Sequence, residues 1–175
     1  MPAGVQLRSL ATHRDQRGDL TELFRAHWDT DIVPVQWNLV RSSASVLRGV
    51  HLHLKHSDYL TVVEGRMSVG LRDLRRDSPT AGAATVVELH GDEMAAVTIP
   101  PGIAHGFFFH GPAIHLYAVS EYWDVADELG CHWTDPALEI PWPMATAVVS
   151  ARDAALPPLS VLLETIAPIT RGRSS

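Results

Sequence analysis

The chain has 175 residues, of which 46% are hydrophobic and 19% charged, and its formal net charge is −6. This composition is typical of a folded globular protein and excludes a largely disordered chain. The negative charge argues against a general attraction to nucleic acid, and no apolar stretch is long enough for a membrane span. We expect one domain, residues 1–170, followed by a flexible tail, 171–175.

The numbers of cysteines and histidines indicate the cellular compartment and the kind of chemistry to expect. A single cysteine, Cys131, leaves no partner for an internal disulfide, which favours a reducing compartment and predicts a cytoplasmic protein. Ten histidines are many for this length. Because histidine carries protons or metal ions near neutral pH, their arrangement is the place to look for function.

Strand patterns dominate the chain. Short runs rich in β-branched and aromatic residues predict strands at 33–40, 46–53, 59–64, 67–74, 84–89, 94–99 and 114–122. A tight hairpin is predicted at Glu64-Gly65-Arg66 and a second turn at His90-Gly91-Asp92. Many short strands at close spacing predict an all-β antiparallel barrel or sandwich.

Helix is predicted mainly near the C-terminus. Apolar residues recur at helical spacing over 158–166, which favours one amphipathic helix packed on the outside of the barrel. A short turn is also expected near Asp135-Pro136-Ala137.

Three histidines have a spacing that a barrel would bring together. His51 and His53 are two positions apart on one predicted strand, so their side chains share a face, and His105 lies on a later strand. The patterns His51-x-His53-x4-Asp58-x6-Gly65 and Pro100-x-Gly102-x2-His105 resemble the two cupin motifs, with Asp58 where metal-binding cupins usually have glutamate. A cupin jelly-roll barrel is therefore expected. The remaining histidines lack such an arrangement and are expected to be structural or exposed: His13, His27, His56, His90, His110, His115 and His132.

Longer segments resemble one particular family, the dTDP-4-dehydrorhamnose 3,5-epimerases, over about residues 5–165. The most specific are Leu47-Arg48-Gly49-Val50-His51 and the run from Pro100 to Phe107. The other matching segments are Asp15-Gln16-Arg17-Gly18, Trp133-Thr134-Asp135-Pro136-Ala137, Ile140-Pro141-Trp142-Pro143 and Ser150-Ala151-Arg152-Asp153.

The resemblance implies a homodimeric cupin that epimerises a 4-keto-6-deoxyhexose carried on dTDP, a step in deoxysugar biosynthesis, without a cofactor. It implies that His51 is the base, that Asp153 orients and charges it, and that Tyr117 is the acid on the opposite ring face. It further implies substrate contacts, in part across the subunit boundary, from Arg48, His105, His53, Asn38, Arg17 and Glu22.

The chemistry fits these roles. A hydrogen next to a ketone is acidic because its loss gives an enolate, so the enzyme needs a base, a donor near the oxygen and an acid. A histidine held by a carboxylate is a suitable base. Without the family pattern, Tyr117 could equally be an aromatic of the barrel wall and Asp153 a helix cap.

One departure from the family's pattern concerns the group that donates to the enolate oxygen. The family has a lysine soon after the first histidine, but here the strand reads Asp58-Tyr59-Leu60-Thr61, and the nearest lysine is Lys55. The group that stabilises the enolate is therefore unassigned, which leaves open whether C3, C5 or both are epimerised.

Two alternatives remain open. Paired histidines such as His51 and His53 also resemble the sugar 3,4-ketoisomerases. A metal-dependent cupin would use His51, His53, Asp58 and His105 as ligands. We expect no metal, because an ion on His51 would occupy the lone pair that the base needs.

Overall fold

The computed structural model describes residues 1–171. Strands make up most of the regular structure, with one short and one longer α-helix near the C-terminal end. The strands are β1 Gln6–Ser9, β2 Thr12–Asp15, β3 Gly18–Thr21, β4 Gln36–Ser42, β5 Leu47–Leu52, β6 Asp58–Glu64, β7 Arg66–Asp73, β8 Ala84–His90, β9 Ala95–Ile99, β10 Ile103–Phe109, β11 Ala113–Val119 and β12 Leu129–Gly130. The helices are α1 Ala151–Ala154 and α2 Leu159–Arg171, with single 3₁₀ turns at Val125–Asp127 and Pro136–Leu138.

Two antiparallel five-stranded sheets form the barrel. The first sheet has the order β1-β9-β6-β11-β4, and the second has the order β12-β5-β10-β7-β8. Apolar side chains from both sheets fill the space between them, among them Leu60, Val62, Val69, Leu71 and Phe109. This arrangement confirms the predicted all-β jelly-roll class.

The predicted hairpin at Gly65 is wrong. β6 pairs with β9 and β11, whereas β7 pairs with β10 and β8, so the chain changes sheet at Gly65. Gly65 has φ of 86°, and an added Cβ would lie 2.6 Å from the carbonyl oxygen of Pro112. Gly91, between β8 and β9, makes the matching change of sheet, and its N–H donates to the Gly65 carbonyl over 2.9 Å.

The predicted strands are found with shifted ends. The last one, expected over 114–122, is β11 and ends at Val119. His105 lies on β10 as expected, but the short strands β1, β2, β3 and β12 were not predicted. Their four-residue or shorter runs carry no clear alternation, so the sequence pattern alone does not reveal them.

The C-terminal helix begins one residue after the predicted start and continues five residues beyond the predicted end, to Arg171. Leu159, Leu162 and Ile166 bury its apolar face against Val50 and Leu52 of the second sheet. The predicted flexible tail, 171–175, lies outside the described residues except for Arg171, the last residue of α2. Neither described helix is long and apolar enough to cross a membrane.

Candidate active site

A pocket of about 500 Å³ opens into the barrel between the two sheets. β5 and β10 supply one wall, and β4, β6 and β11 supply the other. A pocket of this volume is in the usual range for a small-molecule site. Seven of the predicted site residues line it: Asn38, Arg48, His51, His53, His105, Tyr117 and Asp153.

His51 and Asp153 form a direct pair on the second-sheet side. His51 Nε2 lies 2.8 Å from Asp153 Oδ1, and the Gly49 N–H donates to Asp153 Oδ2 over 3.2 Å. Asp153 lies in the first turn of α1, where its own N–H donates to the capping Ser150 Oγ over 3.0 Å. The cap is thus Ser150, and the Asp153 carboxylate is free to hold the imidazole.

The charge on Asp153 fixes the tautomer of His51. Burial by itself raises the pKa of the Asp153 carboxyl, but hydrogen bonds from His51 and Gly49 outweigh burial and hold the pKa below its ordinary value. A carboxylate only accepts hydrogen bonds, so His51 Nε2 carries the proton in this pair. In neutral His51, the lone pair is therefore on Nδ1.

A bulge in β5 brings Arg48 and His51 to the same pocket. His51 is opposite His105 and Gly49 is opposite Gly106, which leaves Val50 as an extra residue in the ladder. Gly49 has φ of 118°, and an added Cβ would lie 2.8 Å from Gly106 Cα. In a regular strand, residues three apart point to opposite faces, so the sequence pattern alone does not place Arg48 beside His51.

Tyr117 reaches the pocket from the opposite wall. It lies on β11 in the first sheet, whereas His51 lies on β5 in the second. Burial, together with the nearby carboxyls of Asp58 and Glu128, raises the pKa of the Tyr117 hydroxyl above its ordinary value. Tyr117 therefore keeps its proton at neutral pH and is a hydrogen-bond donor facing the pocket.

Polar groups beside Tyr117 lack partners within the described chain. Asn38 is opposite Tyr117 in the ladder between β4 and β11 and accepts from Gln36 Nε2 over 3.0 Å. Buried Asn38 Nδ2 and His115 Nδ1 have no hydrogen-bond partner among the described residues. A ligand with acceptor and donor groups would satisfy both atoms.

The inner end of the pocket contains a cluster of buried histidines and carboxyls. His53 Nδ1 lies 3.1 Å from the Asp127 carbonyl oxygen and 3.8 Å from Glu128 Oε1, and the His53 ring stacks on His56. Asp127 Oδ2 accepts from His56 Nδ1 over 3.0 Å. Burial and then the neighbouring His56 lower the pKa of His53 to about 4, so its ring is neutral at pH 7.

His105 and Asp58 complete this inner cluster. His105 Nδ1 lies 3.0 Å from the Ile103 carbonyl oxygen, and its Nε2 lies 3.7 Å from Asp58 Oδ2. Burial lowers the pKa of His105 well below its ordinary value, with His53 adding to the effect. Burial, and then the negative Glu128, raise the pKa of the Asp58 carboxyl well above its ordinary value.

The four-residue metal set expected as an alternative is only partly brought together. His53, Asp58 and His105 each place a ligand atom within 4.8 Å of the others, and His53, His56 and Asp127 form a second such group. His51 belongs to neither group within residues 1–171, and its Nε2 is paired with Asp153.

Three residues considered from the sequence lie away from the pocket of their own chain. Arg17 bonds to Asp15 at the turn between β2 and β3, and 86% of its side chain is exposed. Glu22 pairs with Arg25. Lys55 lies 3.7 Å from Asp124 with 56% of its side chain exposed, so it does not take the place of the family's lysine in the pocket.

Two histidines that were expected to be structural or exposed prove to line the pocket, and that expectation is wrong for them. His56 lies in the inner cluster, and His115 is buried between Phe109 and Tyr117. The spacing carried a signal for His115, because it is two positions before Tyr117 on one strand and so shares its face. Other lining residues were missed as well, among them Gln36, Phe107, Trp123, Glu128 and Arg152.

The barrel is a jelly roll of the cupin type, and its pocket contains the His51–Asp153 pair opposite Tyr117. A family model described as dTDP-4-dehydrorhamnose 3,5-epimerase matches residues 3–160. The chain belongs to this family, which favours the epimerase interpretation over the ketoisomerase alternative.

Individual relatives and a solved structure are consistent with this family. A dTDP-4-dehydrorhamnose 3,5-epimerase from Neisseria gonorrhoeae is 33% identical over 86% of this chain, which spans 48% of that protein's length. A dTDP-4-dehydrorhamnose 3-epimerase from Streptomyces niveus is 37% identical over 67% of this chain and 59% of its own length. The crystal structure of NovW, a 4-keto-6-deoxy sugar epimerase from Streptomyces spheroides, superposes with a TM-score of 0.86 at 29% identity, covering 94% of this chain and 87% of NovW.

Proposed function

We propose that the protein epimerises a dTDP-linked 4-keto-6-deoxyhexose by removing and returning a proton next to the keto group. The observation that carries this proposal is the position of the His51–Asp153 pair on one wall of the pocket and of Tyr117 on the other. Inversion of a carbon centre requires a base on one face and an acid on the other.

His51 is the base in this mechanism. The Asp153 carboxylate accepts the Nε2 proton over 2.8 Å, so the Nδ1 lone pair takes the substrate hydrogen. The positive imidazolium that results lies beside the negative carboxylate, which stabilises it.

Tyr117 is the acid. Its raised pKa keeps the hydroxyl protonated until the enolate forms. Delivery of that proton from the first sheet to the face opposite His51 inverts the centre. The tyrosinate then takes a proton from solvent, and the His51 imidazolium releases to solvent the proton that it removed from the substrate.

Side chains of the pocket support binding of the nucleotide, although the net charge of the chain is −6. The guanidinium groups of Arg48 and Arg152 line the pocket with the indole of Trp123, which is 58% exposed. Guanidinium groups bind the oxygens of a diphosphate, and an exposed indole is a stacking surface for a base.

Dimer formation is part of the proposal. Arg17 and Glu22, which lie outside the pocket of their own chain, would reach the nucleotide of a partner subunit. The outer face of the first sheet exposes Trp37, Leu39 and Val63, and β4 is an edge strand. An apolar face beside a free strand edge is typical of a subunit interface. We also propose a cytoplasmic location, since Cys131 is free and buried.

The direct test is proton exchange in heavy water. Incubation with a dTDP-4-keto-6-deoxyglucose should place deuterium at C3, at C5 or at both, as followed by NMR and mass spectrometry. The labelling pattern reports which centres are processed. Absence of label at both carbons, with the nucleotide sugar shown to bind, would refute the proposed reaction.

A further inference from the structure

The inner cluster presents three lone pairs to one another. The Ile103 carbonyl accepts from His105 Nδ1 over 3.0 Å, so the lone pair of the neutral ring is on Nε2, which faces Asp58 Oδ2 at 3.7 Å. The Asp127 carbonyl likewise accepts from His53 Nδ1 over 3.1 Å, which leaves the His53 lone pair on Nε2. His105 Nε2 and Asp58 Oδ2 are thus separated by more than a hydrogen bond, and a ligand nitrogen of His53 lies within 4.8 Å of both.

We infer that His53, Asp58 and His105 bind one divalent transition-metal ion at the inner end of the pocket. Their ligand atoms lie within 4.8 Å of one another. The 3.7 Å between His105 Nε2 and Asp58 Oδ2 is close to the roughly 3–3.5 Å that separates two ligands held about 2.1 Å from one ion. Two imidazoles and a carboxylate suit Zn²⁺, Fe²⁺, Co²⁺ or Mn²⁺.

The surroundings are those of a metal site. Each ligand histidine donates its other N–H to a backbone carbonyl, which fixes the ring and its tautomer as outer-shell partners of metal ligands do. His53, Asp58 and His105 are each at least nine-tenths buried, yet all three line the pocket, so an ion there has an open side toward a substrate.

This inference revises the expectation of a metal-free site. That expectation assumed that an ion would take the lone pair of His51. His51 is paired with Asp153 and lies outside the group, so base and ion can be present together.

The role of the ion rests on the proposed function. An enolate needs positive charge near its oxygen, and Lys55 lies away from the pocket. A bound divalent cation supplies a Lewis acid for the keto oxygen, while His51 and Tyr117 keep their roles in proton transfer.

The test of binding uses metal alone, without sugar, so it does not depend on the proposed reaction. Protein treated with a chelator and dialysed should bind one Co²⁺ per chain, followed by its visible absorption, and one Mn²⁺, followed by electron paramagnetic resonance. With ¹⁵N-labelled histidine, pulsed resonance on the wild type should detect two imidazole nitrogens on the ion. Failure to saturate at one ion per chain with either metal would overturn the inference.

Variants locate the site. Asp58→Asn and His105→Ala should weaken Co²⁺ binding by at least about 100-fold, whereas His51→Ala should bind as the wild type does. His56→Ala distinguishes the two candidate groups. If His56→Ala lost Co²⁺ binding while Asp58→Asn kept it, the ion would lie on His53, His56 and Asp127 instead. Thermal unfolding checks that each variant is folded. If a variant is unfolded, the number of imidazole nitrogens detected on the ion in the wild type still tests the inference.

The role of the ion as a Lewis acid is tested separately from its binding. Deuterium exchange should fall on chelation and return with added metal. Exchange that is unchanged in protein shown to be free of metal would reject the Lewis-acid role but leave the epimerase proposal intact. Absent exchange with one ion bound would instead count against the proposed reaction.

Discussion

His51 lines the pocket and its Nε2 pairs with Asp153, so its substitution removes the base and leaves the Asp153 carboxylate without this partner. We predict that His51→Ala lowers the rate of deuterium exchange next to the keto group by about 10²- to 10⁴-fold, the range usual for a positioned proton-transfer group. NMR of the dTDP-linked sugar in heavy water measures this rate.

A matched control for His51→Ala is His90→Ala, because His90 ends β8 outside the pocket. This control should exchange at the wild-type rate. If His51→Ala also exchanged at that rate, His51 would not be the base.

Tyr117 should affect a different step. Tyr117→Phe removes the hydroxyl on the first-sheet wall but leaves the His51–Asp153 pair in place. We predict that this variant retains measurable exchange but forms little inverted sugar, since the proton returns mainly to the face from which it left. Comparison of label incorporation with the yield of epimer measures the two steps. Equal loss of both would show that Tyr117 is needed for proton removal as well.

At the scale of single elements, Asp73 organises the loop between β7 and β8. Its carboxylate accepts from Arg75 Nε over 2.9 Å, from Ser78 Oγ over 2.6 Å and from Thr80 Oγ1 over 2.7 Å. Burial opposes ionisation, but these hydrogen bonds outweigh it and lower the pKa of Asp73 from 3.8 to about 2.

The sign of this shift gives a stability prediction. A folded-state pKa below the unfolded value stabilises the fold above about pH 4, and the stabilisation is lost as the pH falls toward 2. Asp73→Asn should therefore lower the free energy of unfolding at pH 7 by about 2 kcal/mol, and by clearly less at pH 3. Urea unfolding at both pH values measures the difference.

The exposed Asp77 in the same loop provides the control. Asp77→Asn should have little effect at either pH. A loss of stability in Asp73→Asn that is equal at pH 7 and pH 3 would show that the hydrogen-bond geometry, and not the charge of Asp73, stabilises the loop.

Elements with a clear local pattern were predictable from the sequence. Alternation located β4 and helical spacing located α2, because burial of one face leaves a periodic signal. The change of sheet at Gly65 was not predictable, since the same glycine suits a hairpin, and pairing depends on distant strands. The bulge at Val50 was missed for the same reason, although the motif that contains it includes both Arg48 and His51.

The candidate site was predictable only in part. The resemblance named His51, Asp153 and Tyr117, which the fold brings to one pocket from β5, α1 and β11. The sequence did not show that His56 joins His53, because Asp127, which contacts both rings, lies 71 residues after His56. Clusters made by long-range contacts leave no local periodic signal.

At the scale of the whole molecule, the arrangement of the two sheets leaves one apolar surface exposed in a single chain. The first sheet ends at β4, whose outward side chains Trp37 and Leu39 are 45% and 52% exposed. The segment that carries Phe24 covers only part of this face, through an edge contact with Trp37. A second copy placed here would bury the remaining apolar area and the free strand edge.

We therefore predict a dimer of twice the 19.2 kDa chain mass, measured by light scattering during size exclusion. Leu39→Glu should shift the protein to the monomer, because the charge would be buried without a partner in the interface. Val161→Glu is the matched control, since Val161 is a similarly exposed apolar residue, 45% exposed, on α2. It should remain dimeric.

The dimer and the nucleotide site should also be linked. If Arg17 and Glu22 reach the partner's nucleotide, monomeric Leu39→Glu should bind dTDP more weakly than the wild type, and Arg17→Ala should weaken binding while leaving the dimer intact. Calorimetric titration with dTDP measures both effects. A wild-type monomer that binds dTDP would rule out the interface, and a dimer whose affinity is unaffected by Arg17→Ala would show that each pocket is complete within its own chain.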